Sequence, residues 1–280
     1  MRQDYSDGYY IGDMSSGKRH GKGTYVWNMG DVYIGDWSND KRTGKGTYIW
    51  QNGCVYTGDW ANGNRHGTGQ MTWVNSDGTT DTYIGAWQND TRTGKGKYIW
   101  SNGDFYDGDF VNGALIGKGK ILWSNGDIYE GDWTSSGRTG TGKFIWASGT
   151  VYIGSFVGGK KQGNGKIAWD NGDTYEGNWH DDWRTGKGTY IWSDGGKYVG
   201  DWLKNNRHGS GTMTSGEGKW KGDVYVGEWK DNQRSGNGVY TYANGEVLDG
   251  RWENGKFQGE TAIGYPIKRR KSLNLPPDDK

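Results

Sequence analysis

The sequence is poor in cysteine and proline, and it has no excess of either charge. Its 280 residues include one cysteine, Cys54, and three prolines. A single cysteine cannot form an internal disulfide, which is typical of a reducing compartment. The 34 basic and 33 acidic residues leave a net charge of +1, whereas duplex-binding proteins usually carry a clear basic excess. We therefore expect no nucleic acid partner.

Long hydrophobic runs are also missing. No 18 consecutive residues are apolar, so no membrane-spanning helix is predicted. The first ten residues lack the apolar core of a signal peptide. We therefore expect a cytoplasmic protein.

Glycine and aromatic residues dominate what is present. The chain has 54 glycines, 18 tryptophans and 19 tyrosines, while hydrophobic residues make up only 31%. So many rings argue against disorder, and the low aliphatic content argues against a thick two-layer core. We expect an ordered structure held together by aromatic packing.

An internal repeat organises nearly the whole chain. The spacing is 23 residues, with two steps of 27, and in each copy positions 3, 12 and 14 are almost always glycine. Position 5 is tryptophan in eight copies, and position 18 is tryptophan in eight of ten. Position 1 is a tyrosine in ten copies, at Tyr10, Tyr33, Tyr56, Tyr83, Tyr106, Tyr129, Tyr152, Tyr175, Tyr198 and Tyr225, and Leu248 opens a partial eleventh copy.

Each copy predicts a β-hairpin. In the second copy, residues 33–37 alternate with period two, residues 38–44 form a polar loop, residues 45–50 form the return strand, and Asn52-Gly53 marks a tight reversal. The predicted fold is all-β, an elongated single-layer antiparallel sheet of tandem β-hairpin repeats. We expect a lead-in over 1–9, ten repeats and a half-repeat over 10–263, and a disordered, basic, proline-containing tail over 264–280.

The conserved spacing of rings and glycines suggests a register. With Trp37 opposite Gly46, Tyr33 would lie opposite Trp50, and large rings would lie over glycines. The other face carries acids at position 4 and lysines such as Lys97 at position 15, which this register pairs across strands. We expect that face to be solvated and to carry weak ion pairs.

The units resemble the MORN (membrane occupation and recognition nexus) repeat. The likeness is carried by units such as Tyr129-Glu130-Gly131-Asp132-Trp133 followed by Gly140-Thr141-Gly142, and it covers residues 10–263. The resemblance implies a single-layered sheet with an aromatic-lined groove. It also implies a scaffold or partner-peptide binder at junctional membranes, cytoskeletal structures or ciliary axonemes. Some family members carry a separate catalytic domain, and we expect none here.

Signals of catalysis are missing from the sequence. The Gly-x-Gly units recur in every repeat and precede strands, whereas a phosphate loop precedes a helix. The four histidines lie far apart, so they do not form a metal-ligand pattern. We expect no enzymatic activity, no cofactor and no metal.

The aromatic face is the first candidate binding site. A single layer cannot cover both sides of its rings, so an apolar strip should remain exposed. We expect this strip to bind a partner protein; the alternatives are that the rings only pack on one another or that the chain dimerises there. The candidate residues are Tyr33, Trp37, Trp50, Tyr56, Trp60, Tyr83, Trp87, Trp100, Tyr129, Trp133, Tyr175 and Trp179.

The second candidate is a row of arginines at position 10, predicted to follow one edge of the sheet. These side chains either stack on tryptophan and brace the loops, or bind an anionic partner such as an acidic peptide or a phosphoinositide headgroup. The residues are Arg19, Arg42, Arg65, Arg92, Arg138, Arg184, Arg207 and Arg234.

These features leave three functional hypotheses. The preferred one is a non-catalytic scaffold that binds a segment of a partner protein, with cytoskeletal or axonemal assemblies as the setting. The second is peripheral membrane attachment through anionic lipids at the arginine edge. The third, sugar or choline binding on the aromatic ladder, is disfavoured because no signal peptide is evident.

Overall fold

The computed structural model describes residues 2–259, and every regular element among them is a β-strand. The chain divides into two units, Met1–Gly137 and Arg138–Lys280. Consecutive strands within each unit pair antiparallel, so each unit is one layer of tandem hairpins. The predicted fold class is confirmed.

The strands follow one another through short turns. The first twelve are β1 (Arg2–Tyr5), β2 (Gly8–Ser15), β3 (Lys18–Trp27), β4 (Val32–Ser38), β5 (Lys41–Ile49), β6 (Val55–Ala61), β7 (Asn64–Val74), β8 (Thr80–Gln88), β9 (Thr91–Ile99), β10 (Phe105–Val111), β11 (Ala114–Leu122) and β12 (Ile128–Thr134). The others are β13 (Gly137–Ile145), β14 (Val151–Val157), β15 (Lys160–Ala168), β16 (Thr174–His180), β17 (Trp183–Ile191), β18 (Lys197–Leu203), β19 (Asn206–Thr214), β20 (Val224–Lys230), β21 (Gln233–Thr241), β22 (Val247–Glu253) and β23 (Lys256–Gly259).

Further strands lie before and after the ten complete repeats. The segment 1–9, predicted as a lead-in, contains β1, which pairs with β2 through Arg2 opposite Ile11 and Tyr5 opposite Gly8. At the other end, β22 and β23 form the last hairpin. The predicted tail, 264–280, lies outside the described residues.

Two kinds of turn join the strands. Asn39 and Asp40 alone connect β4 to β5, with φ angles of 48° and 67°. Two successive positive φ angles are what a tight hairpin turn requires, and Asn and Asp enter this region more readily than other side chains. The predicted seven-residue loop over 38–44 was therefore wrong. The predicted reversal at Asn52-Gly53 is confirmed, since the N–H of Gly53 donates to the carbonyl of Trp50 at 2.9 Å.

The predicted strand register was wrong by two residues. Tyr33 pairs with Tyr48 rather than with Trp50, and Gly35 pairs with Gly46. The next strand repeats this arrangement on its other side, where Gly46 faces a glycine again. Glycines therefore lie opposite glycines in a row across each unit.

A two-residue turn and a β-bulge together set the observed register. After Gly35 the pairing shifts, so that Trp37 lies opposite Arg42 rather than opposite Gly46. The carboxylate of Asp36 accepts a hydrogen bond from the backbone N–H of Lys45 at 2.9 Å. The acid at position 4 therefore satisfies an N–H that the bulge leaves without a strand partner.

The glycine row makes room for the tyrosine at position 1. A Cβ added to Gly46 would lie 2.2 Å from the hydroxyl of Tyr33 and 2.5 Å from its ring, and one added to Gly35 would lie 2.5 Å from the Cα of Gly46. The ring thus lies flat over backbone that carries no side chains. This contact requires glycine at positions 3 and 14.

Rings then pack edge to face along the core of each unit. The ring of Tyr33 meets Trp37 of its own repeat at 5.1 Å and Trp60 of the next repeat at 5.3 Å, both near perpendicular. The indole N–H of Trp60 donates to the carbonyl of Gly46 at 3.1 Å. Because each tryptophan joins two repeats, ring packing couples neighbouring hairpins as well as the strands of one hairpin.

The opposite face carries ion pairs and exposed aliphatic side chains. Lys45 at position 13 pairs with Asp59 at position 4 of the following repeat at 2.6 Å, so the predicted pairing of positions 4 and 15 was wrong. Lys97 at position 15 approaches Asp107 instead, at 3.5 Å. Ile34 is 49% exposed on this face. Exposed ion pairs of this kind contribute about 0–1 kcal/mol each.

Gly46→Ala should destabilise the protein because the new methyl group would overlap the ring of Tyr33. We expect a loss of about 2 kcal/mol in the free energy of unfolding, a typical cost of overpacking, measured by urea denaturation. In a Tyr33→Leu background the same substitution should lose clearly less, because the ring is gone. Equal losses in both backgrounds would show that the ring does not set the requirement for glycine.

High pH should unfold the protein. Burial raises the pKa of Tyr83 and of Tyr106 to about 12, because a buried phenolate loses its hydration. A raised pKa in the folded state means that the stabilisation is complete below about pH 10 and is lost as the pH rises from there through 12. Tyrosinate absorbance should therefore grow together with unfolding, followed by circular dichroism. Full ionisation near pH 10 with the fold retained would contradict this expectation.

Candidate functional site

The structure divides the twelve predicted aromatic residues into two groups. Ten are core residues that are 0–9% exposed, and only Trp50 and Trp100 are half-buried. The buried ten are Tyr33, Trp37, Tyr56, Trp60, Tyr83, Trp87, Tyr129, Trp133, Tyr175 and Trp179. They support the face, and the surface that a partner can touch is made by other rings.

That surface is the row of tryptophans at position 18, called here the tryptophan ridge. All its members are half-buried, and sequence analysis singled out only two of them, although the recurrence of tryptophan at position 18 was the available signal. The ridge consists of Trp27, Trp50, Trp73, Trp100 and Trp123 in the first unit and of Trp146, Trp169 and Trp192 in the second.

Most ridge tryptophans directly follow their strand, whereas Trp27 and Trp73 lie within β3 and β7. Turn and ring contacts hold Trp50 in place. The N–H of Trp50 donates to the carbonyl of Cys54 at 2.9 Å. Its indole packs on Tyr48, with ring centroids 4.5 Å apart. Tyr48 in turn lies 5.3 Å from Trp27 of the preceding repeat. In this part of the ridge, tryptophan and tyrosine rings therefore alternate.

A carboxylate that the sequence analysis missed anchors this arrangement. Asp31, at position 22 of the first repeat, accepts hydrogen bonds from the hydroxyl of Tyr48 at 2.6 Å and from the N–H of Gln51 at 2.9 Å. Burial, together with the hydrogen bond to Asp31, raises the pKa of Tyr48. The same pairing recurs between Tyr98 and Asp81. A tyrosine at position 16, together with an aspartate two residues before the position-1 tyrosine of the same repeat, was therefore a signal available in the sequence.

The position-10 arginines lie against this same face. Arg42 stacks over Trp60 of the next repeat at 4.4 Å and over Tyr48 at 5.0 Å. Its guanidinium donates to the carbonyl of Gly63 at 2.7 Å. Burial lowers the pKa of Arg42 because desolvation disfavours the charged form. The side chain therefore closes one side of a groove whose floor is Tyr48 and whose other side is the ridge.

The remaining arginines follow this pattern to different degrees. Arg207 and Arg234 are only 2% and 4% exposed, whereas Arg19 and Arg65 pair with acids of the next repeat's turn at 3.2 Å and 2.9 Å. Stacking on tryptophan is seen for Arg19, Arg42, Arg65, Arg184, Arg207 and Arg234, and Arg92 and Arg138 lie over tyrosine or phenylalanine. The bracing contacts are thus present, and binding of an anionic partner stays a prediction.

Metal-ligand clusters and membrane-spanning helices are both absent from the described residues. Among residues 2–259, no group of three His, Cys, Asp or Glu side chains is placed to hold a metal ion. The same residues contain no helix long and apolar enough to cross a membrane. The groove between the arginines and the ridge is therefore the candidate site, and its chemistry is that of ring faces, indole N–H groups and stacked guanidinium groups.

Two solved structures that align with this chain share little sequence identity with it. The TCP domain of SAS-4 (dCPAP) from Drosophila melanogaster, in complex with a proline-rich motif of Ana2 (dSTIL), is 13% identical over 64% of this chain and 87% of its own, with a TM-score of 0.35. The wild-type TCP10 domain of Danio rerio CPAP is 12% identical over 78% and 97%, with a TM-score of 0.39. At these scores neither structure bears on the function, and no curated protein matches.

The family comparison is decisive, in contrast. The model of the MORN repeat matches ten consecutive segments, at residues 10–32, 33–55, 56–78, 83–105, 106–128, 129–151, 152–174, 175–197, 198–220 and 225–247. These segments carry the ring-and-glycine core, the ridge and the arginine row described above. The chain belongs to the MORN repeat family.

Proposed function

We propose that this protein is a non-catalytic scaffold that binds an extended or helical segment of a partner protein in the groove beside the tryptophan ridge, within a cytoskeletal or axonemal assembly. The observation that supports this best is that the ridge remains half-exposed although the core is complete without it. The core tryptophans use their indole N–H groups on backbone carbonyls, as Trp37 and Trp60 do. Within residues 2–259, the indole N–H of Trp50 and that of Trp100 have no acceptor.

The ridge has the properties of an interaction hot spot. Tryptophan and arginine are the side chains most enriched among residues whose truncation weakens protein complexes. Here both are held in place before binding, Trp50 by Tyr48 and by its turn, and Arg42 by Trp60 and a carbonyl. A preordered surface loses little side-chain entropy when a partner binds. Indole N–H groups at its rim would bond to carbonyls of the bound segment.

A protein segment fits this groove better than a bilayer does. Lipid headgroups approach a flat surface and need cationic side chains that point outward. Arg207 and Arg234 are almost completely buried, and Arg65 is paired with Asp90. The arginines can still favour acidic residues in a segment that enters the groove, because their charges lie along it.

Trp50→Ala with Trp100→Ala should abolish partner binding without unfolding the protein. We expect the affinity for the main protein that co-purifies from the native cell, measured with purified components, to fall roughly tenfold or more. Trp183→Ala is the matched control, since Trp183 is 50% exposed and lies outside the ridge. Substituting the buried Trp60 would test folding rather than binding.

Circular dichroism and vesicle binding are measured on the same variants. Unchanged spectra and a loss confined to the ridge variant support the proposal. Retention of the same partner by the ridge variant contradicts it. Salt-sensitive binding to phosphatidylserine vesicles without a protein partner would favour the anionic-lipid hypothesis instead.

A further inference from the structure

The third repeat departs from its two neighbours, the second and the fourth, at two positions that are hydrogen-bonded to each other in those neighbours. Position 16 is Met71 instead of tyrosine, and position 22 of the preceding repeat is Cys54 instead of aspartate. In the neighbouring repeat the same places hold Tyr48 and Asp31, joined by a 2.6 Å hydrogen bond. Both the ring and the carboxylate that fill this part of the groove are therefore missing together.

A four-residue insertion lies beside this gap. It lengthens β7 to 11 residues, so that Trp73 pairs with Asp81 and Val74 with Thr80. The longer hairpin extends the strand that carries Trp73 and Val74 beside the groove. A cavity of about 610 Å³ lies here. Its lining includes Cys54, Trp73, Val74, Trp87 and Tyr98, the polar residues Asn52, Asn75 and Thr91, and four charged residues.

Each of the four charged groups at the rim has a partner within the chain. Arg65 pairs with Asp90 at 2.9 Å. Arg92 donates to the carbonyl of Gly113 at 3.0 Å. The carboxylate of Asp81 has its own donors, described next. Two cations and two anions cancel, so the cavity offers no net charge to an ionic ligand.

Several polar groups of the lining are hydrogen-bonded within the chain. Asp81 accepts hydrogen bonds from the N–H of Ser101 at 2.9 Å and from the hydroxyl of Tyr98 at 3.1 Å. The sulfur of Cys54 accepts a hydrogen bond from the N–H of Val74 at 3.3 Å. The surface left for a ligand includes the ring faces of Trp73 and Tyr98, which stack at 5.8 Å.

The ninth repeat provides an internal comparison in the second unit. It carries the same departures, Met213 at position 16 and Gly196 at position 22 of the preceding repeat, and its own four-residue insertion. There the inserted segment folds inward. Gly216 is buried, and a Cβ added to it would lie 2.4 Å from the N of Gly196, while the N–H of Glu217 donates to the carbonyl of Asp194 at 2.8 Å. In the ninth repeat the inserted segment therefore occupies the space that stays open in the third repeat.

We propose that the third-repeat cavity is an anchor pocket for one bulky uncharged side chain, aromatic or branched aliphatic, of the partner segment. This inference rests on the proposed function, because it places the strongest single contact of that segment in the groove. With two cations and two anions, its lining carries no net charge and selects against Lys, Arg, Asp and Glu, since burying an unpaired charge there would be strongly unfavourable. The ring walls select for apolar surface.

Methionine methyl groups report on this pocket without any partner. In protein labelled with ¹³C at the methionine methyls, Met71 is buried two residues before Trp73 of the lining, and Met213 is the reporter at the same position of the ninth repeat. We expect N-acetyl-phenylalaninamide and N-acetyl-leucinamide to shift the Met71 resonance with a dissociation constant on the order of 1 mM. Met213 should not respond, and neither the lysine nor the aspartate amide should shift Met71.

Cys54→Leu places a larger side chain in the cavity and keeps both reporters. It should remove the Met71 response while leaving the Met213 resonance in place, which shows that the fold is intact. Absence of a Met71 response in the wild-type protein, an equal response to the charged amides, or an equal response of Met213 would each overturn the proposal.

The design separates this inference from the proposed function. Neither Trp50 nor Trp100 lines the cavity, so the Trp50→Ala/Trp100→Ala variant should keep the Met71 response. A response in that variant, with partner binding retained as well, would leave the pocket standing and overturn the role of the ridge. Partner binding that depends on the ridge but is insensitive to Cys54→Leu would overturn the pocket alone.

Discussion

The flat contact between a tyrosine ring and a pair of cross-strand glycines determines the rest of this structure. A single-layered sheet has no second layer to bury its side chains, so its apolar surface must be covered by its own rings. The ring of Tyr33 can lie flat only because Gly35 and Gly46 carry no Cβ. Once it lies there, tryptophans of two successive repeats pack against its edges, and each hairpin is coupled to the next.

This way of forming a core also creates the binding surface. Rings at positions 1 and 5 are buried, and their polar atoms are used within the chain, as the hydroxyl of Tyr33 is by the carbonyl of Asp36. The tryptophans at position 18 lie one layer further out, packed on tyrosines such as Tyr48. The inner rings supply the stability, and the outer rings are therefore free to supply binding. The arginines belong to both sets, because each braces the next turn and also lines the groove.

Regularity makes departures from it informative. In several repeats a tyrosine and an aspartate close the floor, and this bond ties successive repeats together. Replacing both by Met71 and Cys54 loses that bond and leaves the sulfur of Cys54 with a hydrogen bond from the N–H of Val74. The ninth repeat departs at the same two positions, with Met213 and Gly196, and its own loop fills the space. The open cavity beside the lengthened hairpin is therefore a specific feature of the third repeat.

The sequence by itself determined the repeat, the hairpins, the all-β class and the family, because period-two alternation, fixed glycines and turn residues are local signals. Position-18 tryptophans and the pairing of Tyr48 with Asp31 were readable too, although only in part. Only the tertiary structure decided which rings are buried and which side chain faces which. A bulge after Gly35 shifts the register by two residues, and a bulge leaves no mark that alternation can show. The same shift places Arg42 opposite Trp37. Tertiary packing also decided whether an inserted segment fills a cavity, as in the ninth repeat, or leaves it open, as in the third.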